Sequence, residues 1–171
     1  NMGAIQKRQN DFFGRKETLT EALKYIDQGK NAQTYFSTLD RLAQNHRRLK
    51  NLQEAEALYD QILQGAPRED LPIYKNNLAT LYIDQQEYTK ALELLNDIPA
   101  ETLEDSSTLK ARVLDNMAYA MWSSKIETPL EAFFIPLEIR KKANDHTGSM
   151  ASYTHLGEFF MTRQPQRATA Y

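Results

Sequence analysis

The chain has no cysteine among its 171 residues, which excludes a disulfide framework and a thiolate metal site. It has a single valine against twenty leucines and eighteen alanines. Sheets favour β-branched residues, whereas helices favour Ala, Leu, Glu, Gln, Lys and Arg, so this is the composition of an all-α protein. Neither charge sign prevails: 21 basic and 23 acidic side chains leave a net charge of −2. That balance lacks the basic footprint of a nucleic-acid binder or of a protein held on an acidic membrane surface. No apolar run approaches the roughly 18–20 residues that a membrane span needs, so no direct insertion of this segment is expected. A glycine-rich phosphate loop, a GxSxG elbow and an HExxH motif are all missing. Of the three histidines, His46, His146 and His155, none has a second histidine at ligand spacing. The pairs Glu54/Glu56 and Glu101/Glu104 read as surface charges. No enzymatic activity, cofactor or metal is therefore expected.

What is present is a helical period. Leu39, Leu42, Ala43 and His46 share one face, as do Leu78, Ala79 and Tyr82, and then Ala91, Leu92 and Leu95. Asn51-Leu52-Gln53-Glu54 has the pattern of a capping box, and Thr128-Pro129-Leu130-Glu131 adds proline at the first helical position. Asp105 is a further expected cap. Gly65-Ala66-Pro67 is a stop, and Pro99 and Gly148 mark turns. These signals predict nine helices, over 16–29, 32–48, 51–64, 70–84, 87–97, 105–124, 129–144, 148–163 and from 165 onward. Pro136 falls inside the seventh and predicts a kink.

The helices pair, and the pairs repeat. Leu42-Ala43, Leu78-Ala79, Met117-Ala118 and Leu156-Gly157 align, with their small residues 36, 39 and 39 positions apart. Three residues after each small residue stands a large one: His46, Tyr82, Met121 or Phe160. Ala55 and Ala91 follow the first two small residues by twelve, and Tyr59 and Leu95 come four later. Small residues let two helices approach closely and large ones fill the space beside them. His46 thus reads as a packed core residue.

On these motifs the chain resembles the tetratricopeptide repeat (TPR) family. The segments that carry the resemblance are LAQNHRRLKNLQEAEALYDQIL, LATLYIDQQEYTKALELLNDI, MAYAMWSSKIETPLEAFFIPLEIRKK and LGEFFMTRQPQRATAY. The third departs from the pattern in a loop one residue shorter, with Pro129 in place of the alanine. The fourth is also one shorter and places Ala168 there. The resemblance implies an all-α, right-handed superhelix of antiparallel helix pairs. It would form one TPR-like domain over 1–171, with about three to four repeats at 36–69, 72–104, 110–146 and a truncated 150–171. Residues 1–30 would be an N-terminal helical segment or a degenerate repeat. The stretch LEIRKKANDHTGSMASYTHLGEF resembles the longer repeats of bacterial signalling proteins, which implies a piece of a larger regulatory or sensor protein. Its compartment stays open between the cytoplasm and the outer side of the membrane, with a lean to the latter.

In that family the concave surface is lined by the first helix of each pair. Carried over, this assigns Asp40, Arg41, Gln44, Arg47 and Arg48, then Asn76, Asn77, Thr80, Ile83 and Asp84. The third repeat supplies Arg112, Asp115, Asn116, Tyr119 and Trp122, and the fourth Thr154, His155 and Glu158. Asn77 and Asn116 hold equivalent places, where an amide could grip a peptide backbone or bond within the stack. Arg41 holds the matching place one repeat earlier and suits a carboxylate. Tyr119 and Trp122 are either exposed anchors or packing residues. The clusters Arg47-Arg48-Lys50 and Arg140-Lys141-Lys142 lie at helix C-termini, where cations oppose the dipole.

The expected function is a non-catalytic scaffold that binds a peptide or protein segment in its groove. The alternative is a spacer or self-assembly module. A polar groove favours the first, and an apolar groove plugged by the N-terminal segment favours the second. An array ending mid-pair would leave an apolar face, so Phe159, Phe160 or Ala168 could drive self-association through the last repeat.

Overall fold

The computed structural model describes residues 2–163, and every described element is an α-helix. They are α1 (Met2–Leu23), α2 (Ala32–Arg48), α3 (Leu52–Gly65), α4 (Leu71–Asp84), α5 (Tyr88–Asn96), α6 (Ala100–Asp105), α7 (Ser107–Ser123), α8 (Glu131–Lys142) and α9 (His146–Arg163). Two compact units divide the chain, Asn1–Leu81 and Tyr82–Tyr171. The expected helix from 165 and Ala168 lie outside the described residues.

In the first unit α2 packs against both α1 and α3. The small residues do what their spacing asks of them: Ala43, Ala55 and Ala79 are fully buried, as are the large side chains of Phe36, Tyr59 and Ile62. Gly65 is a point of close approach, since a Cβ there would stand 2.8 Å from Cζ of Phe36. In the second unit α7 packs on α5, α6, α8 and α9, and α8 packs on α9. Its core joins Ala118, Phe133, Leu137, Leu156 and Phe159, with Trp122 packed alongside. The Phe133 and Phe159 rings lie 4.8 Å apart, and Trp122 meets them at 6.4 and 5.9 Å. Aromatic rings at these spacings add directional attraction to apolar burial.

One turn recurs. Lys50, Gln86 and Lys125 each stand seven residues after the small residue of their repeat and each adopts a left-handed φ, of 64°, 62° and 61°. The following amide bonds back to the carbonyl five residues earlier: Asn51 to His46, Glu87 to Tyr82, and Ile126 to Met121. This is a Schellman stop, and it satisfies carbonyls that the helix end would leave bare. Asn144, with φ of 54°, closes α8 in the same way through the amide of Asp145.

Several local expectations are corrected. α1 begins far upstream of residue 16, and it ends at Leu23 rather than Gly29. The end follows from Asp27, whose Oδ1 accepts the backbone N–H groups of Gly29 and Lys30 at 2.9 and 3.2 Å and so forms a turn in place of the helix. Asn51 makes no side-chain cap. Thr128 does not cap either: its hydroxyl donates to the Ile126 carbonyl, and α8 starts at Glu131. Ser106, not Asp105, caps α7, accepting from the Leu109 amide. Pro99 starts an additional short helix, α6, and Gly148 lies within α9, its amide held by Asp145 at 2.8 Å.

Candidate binding surface

Three residues on the first helices of the repeats stand at the same place, three before the small residue: Asp40, Asn76 and Asp115. Sequence reading put them on the groove wall, but all three are buried. A buried carboxylate needs donors. Asp40 accepts from the Tyr59 hydroxyl at 3.1 Å, the Asn77 amide at 2.9 Å and the Gln44 amide at 2.6 Å. Burial, helped by the charges of Asp70 and Asp40, pushes the Tyr74 hydroxyl up to about 12. Asn77 is itself buried, so of its two readings the structure displays the bond within the stack.

In the second unit Asp115 receives the Arg140 guanidinium at 2.8 Å and the Ser152 hydroxyl at 3.2 Å, and Nδ1 of His155 lies 3.2 Å away. Arg140 also donates to Ser152 Oγ at 2.5 Å and to the Gly148 carbonyl at 2.7 Å. Its neighbours Lys141 and Lys142 are exposed, but Arg140 is not part of a solvated basic cluster. The signal was available: Phe133, Pro136, Leu137 and Arg140 form one helical stripe, and all four are buried. Although serine, histidine and aspartate meet here, Ser152 Oγ is fully buried and held between Asp115 and Arg140, so it is not a nucleophile presented to a substrate. Among the described residues no group of three or more His, Asp or Glu could hold a metal, and no helix is long and apolar enough to cross a membrane.

The other groove positions divide by unit. In the first, Arg41 and Arg48 are exposed and Gln44 is half-buried. With Asn45 they form one wall of an open cleft of about 750 Å³, and Asp11, Gly14, Arg15, Thr18 and Leu19 of α1 form the other. The Asn45 amide donates to the Phe12 carbonyl at 2.8 Å and ties the two helices together. Thr80 turns its hydroxyl back onto the Asn76 carbonyl at 3.0 Å. In the second unit Asp84 is exposed, and Arg112 and Asn116 are half-buried. The Tyr119 hydroxyl donates to Glu158 at 2.8 Å while its ring lies 4.3 Å from that of His155. Burial first, and then this bond to a carboxylate, push that hydroxyl up to about 12. Trp122 packs into the aromatic core. Arg15, Asp11 and Phe12 were not foreseen, because the repeat that located the other positions does not extend to α1.

The helix pairing, the small residues at their crossings and the recurring left-handed turn agree with the comparison of the sequence with known families. A tetratricopeptide repeat model matches residues 46–113. This segment is similar to tetratricopeptide repeats. It begins in the last turn of α2 and ends within α7. No curated protein and no solved structure gives a significant match to the chain. Tetratricopeptide repeats generally mediate protein–protein interaction and are typically non-catalytic scaffolds.

Proposed function

We propose that this chain is a non-catalytic interaction scaffold within a larger bacterial regulatory or sensor protein, and that it holds a peptide or protein segment in the cleft between α1 and α2. The observation that supports this reading is the character of the cleft. The N-terminal helix supplies one wall of the cleft, and most of the lining residues are polar or charged. A volume of about 750 Å³ lies within the range of ligand sites, and its residues come from rigid helices rather than loops. The test is site-directed photo-crosslinking in the source cell. A benzophenone side chain at Gln44 is expected to capture a partner that the same probe at Asp60, on the exposed side of α3, does not. The captured protein, once purified, should bind the wild-type chain and lose affinity for Arg48→Glu. Identical adducts at both positions, or none at either, would refute the cleft as the binding site.

The self-assembly reading has its own support in α9. Met150, Tyr153, Phe160 and Met161 are all exposed on that helix. Phe159, which the sequence also offered for self-association, is instead buried against Phe133. If copies associate through this face, sedimentation should show a concentration-dependent oligomer that Tyr153→Glu dissociates. A wild-type monomer at all concentrations would dispose of this reading.

A further inference from the structure

We infer that the α1/α2 cleft selects an acidic peptide segment, one that spaces carboxylates three or four residues apart. The inference rests on the reading that the cleft takes a peptide, and names the chemistry of that peptide.

Three arginines line the cleft, Arg15 from α1 and Arg41 and Arg48 from α2, against one carboxylate, Asp11. Among the described residues none of the three guanidinium groups is in an ion pair. This contrasts with Arg140, which is buried and consumed by Asp115. The Phe12 ring meets two of the three: Cζ of Arg15 and Cζ of Arg48 each stand 5.7 Å from its centroid. A guanidinium held over an aromatic face keeps its N–H edge free, and that edge is what meets a carboxylate through two parallel bonds. The ring therefore orders two cations without using their donors. Less side-chain entropy is then lost when a ligand arrives.

The spacing defines the ligand further. Arg41 and Arg48 are seven residues apart on α2, which places them about 10 Å apart along the axis, the span of about three extended residues. Carboxylates on adjacent residues would reach one arginine only, whereas carboxylates three or four apart reach both. A long polyanion such as RNA is the weaker candidate, because the chain as a whole carries a net charge of −2 and repels it outside the cleft.

The experiment uses the full chain and two labelled peptides, Glu-Ser-Ser-Glu-Ser-Ser-Glu and its glutamine counterpart, read by fluorescence anisotropy at physiological salt. Saturable binding of the acidic peptide is expected, about tenfold or more tighter than the glutamine peptide. Arg41→Gln and Arg48→Gln should each weaken it by about tenfold, while Arg68→Gln, on the exposed loop after α3, should not. Circular dichroism on each variant separates lost binding from lost folding. Equal affinity for the two peptides, or arginine variants that bind as wild type does, would overturn the inference. So would tighter binding of an RNA oligonucleotide by the same arginines. The two readings fail separately. A partner that cross-links at Gln44 in wild type and equally in the arginine variants leaves the cleft reading standing and removes the acidic one. Failure of both the cross-link and the peptide removes both.

Discussion

Lys50 spends conformational energy to end α2. Its φ of 64° is a geometry that costs a residue bearing a Cβ about 1–2 kcal/mol and glycine almost nothing, although glycine gives back part of that in chain entropy. Lys50→Gly should therefore raise stability by about 1 kcal/mol, read as a higher urea midpoint at unchanged slope. An unchanged or lower midpoint would mean that the lysine side chain makes up for the strain. His46 poses a second question at this scale. It is 7% exposed and its Nδ1 has no hydrogen-bond partner. Burial, with the charge of Lys16 adding and Glu54 opposing, holds its pKa below the usual 6.5. The unfolded chain then binds the proton more readily, so the contribution to stability is complete above 6.5 and is lost as the pH falls through the folded value. Between about pH 8 and about pH 5 the urea midpoint of wild type should fall more steeply than that of His46→Leu. Parallel curves would show that other groups govern the acid limb.

At the scale of elements, the small residues at helix crossings matter most. Ala79 is fully buried on α4, so Ala79→Glu must both expand the crossing and bury a carboxylate, at a cost of at least about 3 kcal/mol. The variant should lose most of its helical ellipticity at a temperature where wild type keeps it. Thr89→Glu, on the exposed face of α5, should not. If Ala79→Glu melts like wild type, the repeat alignment that placed Ala79 at a crossing is wrong. These crossings are also why much of the fold was legible. The boundaries of α2 to α5 follow from a strong period between clear stops, and lie within a residue or two of those expected. α6 was not legible, because Pro99 reads equally as the end of one turn and the start of another. The true extent of α1 was hidden as well, since no cap marks its start and its end depends on Asp27 taking two amides that a helix would have used. The cleft was half legible. Arg41, Gln44 and Arg48 fall on one side of α2 by spacing alone, but Arg15 and Phe12 join them only through the packing of α1. Asp40 and Asp115 were placed on the groove wall because the first helix of each pair lines the concave surface in the resembling family. Only the tertiary donors Tyr59 and Arg140 reveal that these two are buried.

For the whole molecule, the question is whether its stability is one quantity or two. Each compact unit has a buried carboxylate at the same repeat position: the partners of Asp40 include the Tyr59 hydroxyl and the Asn77 amide, and those of Asp115 include the Arg140 guanidinium. Removing one partner of a buried ion pair leaves the other charge stranded and costs about 3–5 kcal/mol. Arg140→Met does this to Asp115 while keeping the apolar length of the side chain. In repeat architectures stability is close to a sum of local terms, so damage in one place need not spread evenly. Native-state hydrogen exchange should therefore accelerate in α7, α8 and α9 of Arg140→Met, the helices that carry Asp115, Arg140 and Ser152. Amides of α2 and α3, whose core is built from Phe36, Ala43, Tyr59 and Ile62, should keep more of their wild-type protection. Acceleration by one common factor in both groups of helices would show a single cooperative unit. Charges such as those of the α1/α2 cleft would then have to be judged against the stability of the entire chain rather than that of their own helices.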